Sequence, residues 1–191
     1  MTRTFSMLAS LSLMLMATAM VLGFSIGDLY ADPPAAETFI WRGRHMLTGV
    51  AAALAVVLVE SIAVTYFVGT SRWCKEVTEA YRLPADDLRL STRLKRRTFP
   101  WCVLGMLTVV GVGALGAASD PGTGRADTAS MAAVHQLAAF TGMLLVAWTY
   151  YRAWLNIAAK QQVIERLLRQ VQAVRRERGL DAPAAGAAPS L

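Results

Sequence analysis

Two histidines are the residues of this chain best suited to do chemistry, and it holds no others. His45 stands in "WRGRHMLTG", residues 41–49, and His135 in "MAAVHQLAAF", residues 131–140. Each opens a long apolar run, and a neutral imidazole is the commonest protein ligand for a metal. At helical spacing, Gly49 and Ala52 share the face of His45, while Ala138, Ala139 and Gly142 share or flank that of His135. Bulky Leu54, Leu58 and Leu144 fall elsewhere. A packing histidine needs no such floor of small side chains. A planar macrocycle clamped between two imidazoles does, and haem b with two axial histidines is the ligand this implies. Gly113, in "GVGALG" at 111–116, adds a place for close approach by a flat ligand or a neighbouring helix. Read as a dinucleotide-binding motif, that stretch lacks the preceding strand it would need.

The neighbouring arginines suit the same picture. Arg42 and Arg44 lie beside His45, and Arg125 lies in the next loop on that side. Guanidinium groups grip carboxylates such as the two propionates of haem. Two other readings stay open. The arginines and Trp41 are also what a lipid headgroup boundary attracts, with the histidines satisfied there. Met46 beside His45 and Met131 one turn before His135 would suit Cu(I). Glu60 is a carboxyl inside an apolar run, where charge is costly and marks a function or a specific partner. Tyr150 occupies the equivalent place after His135, so a Glu60–Tyr150 hydrogen bond is expected, shaping a proton or quinol site. Bonding of Glu60 to water or Thr65 near the interface is the alternative. Cys74 and Cys102 read as structural thiols on a reducing side.

The elements that position these groups follow from composition. Of 191 residues, 55% are hydrophobic, against about 45–50% in a soluble domain. Four runs, about 5–27, 46–69, 100–118 and 131–155, reach the roughly 20 residues a bilayer crossing takes. The fold class expected is all-α: an integral membrane up-down four-helix bundle in one domain over 1–158. The first run also has features of a signal peptide, but it is long for one. Of 19 Lys and Arg, 16 fall on one side: Arg3, the loop at 70–99, and the tail from Arg152 onwards. The positive-inside rule puts that side, with both termini, in the cytoplasm and the protein in the cytoplasmic membrane. The net charge of +6 is this topological signal. No basic module with interleaved aromatics calls for nucleic acid.

"RTF" occurs at 3–5 and again at 97–99. Each copy begins a helix–loop–His-helix unit, so the chain reads as a duplicated hairpin. The second helix should run on through "SRWCKEVTEAYR" until Pro84, and Asp86 or Asp87 should cap a short basic helix to about Arg97. Ile164, Leu167, Val171 and Val174 mark an amphipathic cytoplasmic helix over 159–179. It would pair with another chain, lie on anionic lipid, or pack on the middle loop. The segment 180–191 has nothing to bury and reads as disordered.

"RHMLTG" is similar to the opening of the haem-binding helices in the haem A synthase family, and the four runs resemble one half of that fold. The arrangement also resembles cytochrome b561-type bundles. The resemblance implies His45 and His135 as axial ligands of one haem. The position three before His45, a glutamate in the synthases, is Arg42, so haem binding is implied and synthase chemistry is not. A six-coordinate haem leaves no open site for substrate. The function expected is therefore that of an electron carrier or anchor subunit, exchanging electrons with a quinol or a redox protein, rather than a self-sufficient enzyme. The competing classes are a non-redox scaffold that docks a partner and a Cu(I)-binding membrane protein.

Overall fold

The computed structural model describes residues 1–31, 33–124 and 127–180. Arg125 and the segment 181–191 lie outside them. Four helices carry the chain: α1 (Thr2–Phe24), α2 (Ala36–Tyr81), α3 (Asp86–Ala118) and α4 (Thr128–Glu177), with one 3-10 turn at Pro121–Thr123. All four are long and apolar enough to cross a membrane. Successive helices pack on one another, and α4 also touches α2 and α1. Large apolar side chains such as Leu11, Leu47, Leu54, Leu107 and Leu144 stand outward, more than half exposed.

The interior is a seam of small and medium side chains. Ala52, Val56, Val59, Glu60, Ala63 and Phe67 are buried on α2. Ninety positions on, Gly142, Val146, Thr149, Tyr150, Ala153 and Ile157 are buried on α4. On α1 the buried residues include Phe5, Ala9 and Ser12. Ninety-three positions on, Thr98, Cys102 and Gly105 are buried on α3. The two hairpins thus bury matching positions, one residue out of register with the "RTF" match.

Two helices run further than the sequence predicts. The basic segment 86–97 is not a separate short helix: α3 continues through Pro100 to Ala118. Neither Asp86 nor Asp87 caps it. Asp87 instead accepts a hydrogen bond at 2.8 Å from Nε of Arg166 and one at 3.3 Å from Gln170. The amphipathic helix at 159–179 is likewise the uninterrupted end of α4. Its apolar stripe packs inward, with Val163 and Leu167 fully buried. Packing against α2 and α3 explains both extensions, since tertiary burial outweighs the loss of one hydrogen bond at a proline. At the far turn α2 ends as expected before Pro84. Arg82 takes the left-handed conformation at φ 54°, and the Leu83 amide bonds back to the Thr78 carbonyl at 2.9 Å, closing the helix in a Schellman turn.

This end holds a residue that its sequence context places in solvent. Lys160 is fully buried. Its Nζ donates to Ser71 Oγ at 3.1 Å and, more closely, to Ser91 Oγ. Among the described residues no carboxylate pairs with it. Lys160→Met should therefore raise the stability of the detergent-solubilised protein by about 1 kcal/mol, because a methionine of similar length needs no solvation. Thermal unfolding checks this, and a large loss of stability would show that the two serine bonds outweigh desolvation.

Candidate functional site

α2 and α4 bring the two imidazoles together. The ring centroids of His45 and His135 lie 6.0 Å apart, with their planes at 78°. The reach of each ring is set by the preceding helix. A methyl group at Gly23 of α1 would stand 3.1 Å from the imidazole of His45. One at Gly116 of α3 would stand 3.0 Å from that of His135. Only the absence of a side chain at these two glycines lets the rings sit so close to α1 and α3.

The hydrogen bonding of the rings differs. Nδ1 of His45 lies 2.8 Å from the carbonyl of Ala19. A carbonyl only accepts, so Nδ1 carries the hydrogen and Nε2 keeps its lone pair, the form in which a histidine binds a metal. Nδ1 of His135 is buried without a hydrogen bond of good geometry, and the Val112 backbone, ninety-three positions after Ala19, is its looser counterpart.

Of the predicted small-residue floor, part faces the site and part does not. Gly49 is half-buried and fronts open space. Ala52 is buried, and Ala138 and Ala139 are half-buried. Gly142 is a helix contact instead: a methyl there would meet Val112 at 2.8 Å and Thr108 at 3.2 Å, both on α3. Gly113 is exposed with nothing beside it, so it does not flank the histidines. The glycine of that stretch which does is Gly116. Met46 is about half exposed, at 49%, and Met131 is half-buried. Among the described residues there is no group of three or more His, Cys, Asp or Glu able to hold a metal ion. A pair of histidines is what this chain offers.

The arginines are already engaged. Arg42 forks onto Asp120, with Nη2 to Oδ2 at 2.6 Å and Nε to the same oxygen at 3.2 Å. This bond ties the start of α2 to the loop after α3. Arg44 is exposed and lies over the Trp41 ring, 4.8 Å from its centroid. Tyr30 closes the same end from the first loop, its hydroxyl donating to the carbonyls of Ser119 at 2.8 Å and Thr128 at 3.2 Å. Burial first, then the carboxylates of Asp120 and Asp28, push the Tyr30 phenol above its usual pKa.

Glu60 and Tyr150 occupy matching places on α2 and α4 but do not bond to each other. Oε1 of Glu60 accepts from Thr149 at 2.7 Å, and the Tyr150 hydroxyl pairs with Ser12 at 2.8 Å. Tyr150 also packs edge-on against Phe5, centroids 5.9 Å apart. Oε2 of Glu60 is buried without a partner. Gly105 makes the room: a methyl there would come 2.5 Å from Oε1 of Glu60. Sequence reading missed Gly23, Gly105 and Asp120 as partners, because each meets its histidine, carboxyl or arginine across a helix boundary. Compared with family models, curated proteins and solved structures, the chain matches none.

The Arg42–Asp120 bond is part-buried, with side chains 27% and 15% exposed. A double-mutant cycle of Arg42→Ala and Asp120→Ala, read by unfolding in detergent, should return a coupling of about 1 kcal/mol, above most exposed pairs. Additive single effects would mean that the fork does not hold the two hairpins together.

Proposed function

We propose that the chain is a multi-pass membrane protein, built from a duplicated hairpin, that binds one haem b through His45 and His135 and passes single electrons between a quinol or membrane partner and a redox protein. The observation that carries this reading is the spacing of the two rings. Two metal–nitrogen bonds of about 2 Å, plus about 1 Å from each nitrogen to its ring centre, put axial imidazole centroids roughly 6 Å apart. His45 and His135 stand at 6.0 Å. A single-metal bridge would have the same spacing. The outward Met46 favours a flat ligand over copper.

Membrane placement is supported by aromatic residues at two levels. Trp41 lies at the histidine end, while Trp101, Trp148 and Tyr151 cluster towards the other, with Arg152 over both tryptophan rings. Trp101 precedes the end of α3 by 17 residues, or roughly 26 Å of helix, close to the thickness of a bilayer core. The cationic loop and tail then lie in the cytoplasm and the histidines near the outer face.

When bound, haem supplies a reversible one-electron couple, and the chain supplies orientation and electrostatics. The Ala19 carbonyl fixes the tautomer of His45. Gly23 and Gly116 fix ring position. Arg44, free of any carboxylate partner among the described residues, is the better placed of the two arginines for a propionate. Arg42 would have to share its guanidinium with Asp120.

Protein purified from haem-replete cells should show a Soret band and a reduced α-band, both lost in His45→Ala and in His135→Ala. A colourless wild-type protein overturns the reading, and stoichiometric copper without a Soret band would replace it with the Cu(I) alternative. Gly116→Val, which crowds His135, should lower haem content severalfold while leaving the helix content unchanged by circular dichroism.

A further inference from the structure

Glu60 is fully buried, and one of its two oxygens has no partner in the protein. Such a carboxyl is neutral unless a cation stands beside it. No salt bridge reaches it among the described residues. From α4 it meets the Thr149 hydroxyl, from α3 the Cys102 thiol, and beyond these the Tyr150–Ser12 pair joining α4 to α1. A neutral carboxyl still needs an acceptor for its hydrogen, and the orphan oxygen marks where one is missing. Water is the usual filler of such a place.

A crevice between α2 and α3 reaches Cys102. Its α2 wall is apolar, with Val64, Phe67 and Val68, while its α3 wall carries Lys95, Thr98 and Cys102 beside Phe99, and its volume is about 10 Å³, the room that one water requires. Cys102 is shared between the crevice and the carboxyl. Thr98 adds a buried hydroxyl, which donates to the Leu94 carbonyl at 2.9 Å and accepts from Asn156 at 2.9 Å. On the opposite side of Glu60, towards the histidines, the seam closes with Val56 and Val146, both fully buried. The polar groups of the crevice wall thus lie on one side of Glu60 and apolar packing on the other.

We propose that Glu60 is a proton-loading site that exchanges with the side bearing Lys95, through water in the Thr98–Cys102 crevice. The carboxyl O–H bond breaks as its proton passes to a water oxygen there. A second proton of that water moves outward, and the reverse sequence reloads the acid. The inference rests on the membrane reading of the fold and is independent of haem.

The test is infrared spectroscopy of the full chain in lipid vesicles. A protonated-carboxyl band should be present at neutral pH and absent in Glu60→Gln. On a switch to D2O that band should shift quickly in the wild type. In Thr98→Val it should shift roughly a hundredfold more slowly, the lower range for loss of a positioned proton-transfer group. Lys95→Met, at the mouth of the crevice, should also slow it and serves as the readout if Thr98→Val does not fold. The proposal is overturned if no band disappears in Glu60→Gln, or if exchange in the folded variants is as fast as in the wild type. Haem absorbance recorded on the same samples keeps the two questions apart: a colourless protein with the expected exchange sinks only the haem reading.

Discussion

Two missing side chains set the geometry of the histidine end. Any Cβ at Gly23 or Gly116 would press on the ring of His45 or His135. With hydrogen there instead, each imidazole lies against the helix before its own and is directed into the seam between α2 and α4. The close meeting of the two rings depends on this. So does the tautomer of His45, because the carbonyl of Ala19, one turn before Gly23, is near enough to take its hydrogen. The Arg42–Asp120 fork and the Tyr30 hydroxyl then fasten the two hairpins across the same end.

Away from the histidines the same helices solve a different problem. An apolar bundle must satisfy its buried polar groups internally. Thr149 serves Glu60, Ser12 serves Tyr150, Asn156 serves Thr98, and Ser71 with Ser91 serves Lys160. Each pair joins different helices, so these bonds fix relative helix position where alanines and valines alone would allow sliding. Among the described residues five buried side-chain atoms are left over: Oε2 of Glu60, the hydroxyls of Tyr66 and Thr78, Nδ1 of His135 and Oε1 of Gln170. The Glu60 oxygen belongs to a carboxyl, the costliest of these groups to bury, and is the place to look for water and for function.

Much of the architecture was legible because it is local. Run length and hydropathy marked four helices, and a period of 3.6 put His45 and His135 on facing seams with small neighbours. What escaped was non-local. Helix ends at Arg97 and 159 were misplaced because the continuation of α3 and α4 is stabilised by helices distant in sequence. Lys160 sat among cations that signal topology, and nothing in its neighbours reveals the two serines of α2 and α3 that enclose it. Gly113 and Gly116 differ by most of a turn, and only the packed structure tells which one faces His135. Arg42 looked free for a ligand because Asp120 lies in another loop. The equivalence of Glu60 and Tyr150 could be read from the hairpin match, but not that Glu60 bonds to the neighbouring Thr149 while Tyr150 turns to Ser12 of α1.

The most direct test of the histidine pair uses the angle between the rings. Axial imidazoles at right angles give ferric haem a strongly anisotropic low-spin electron paramagnetic resonance signal, whereas parallel rings give a more compact one. With planes at 78°, the oxidised protein should show the strongly anisotropic form, with one haem per chain, and His135→Ala should abolish it. A high-spin signal in the wild type, or a low-spin signal that survives removal of either imidazole, would contradict ligation by His45 and His135.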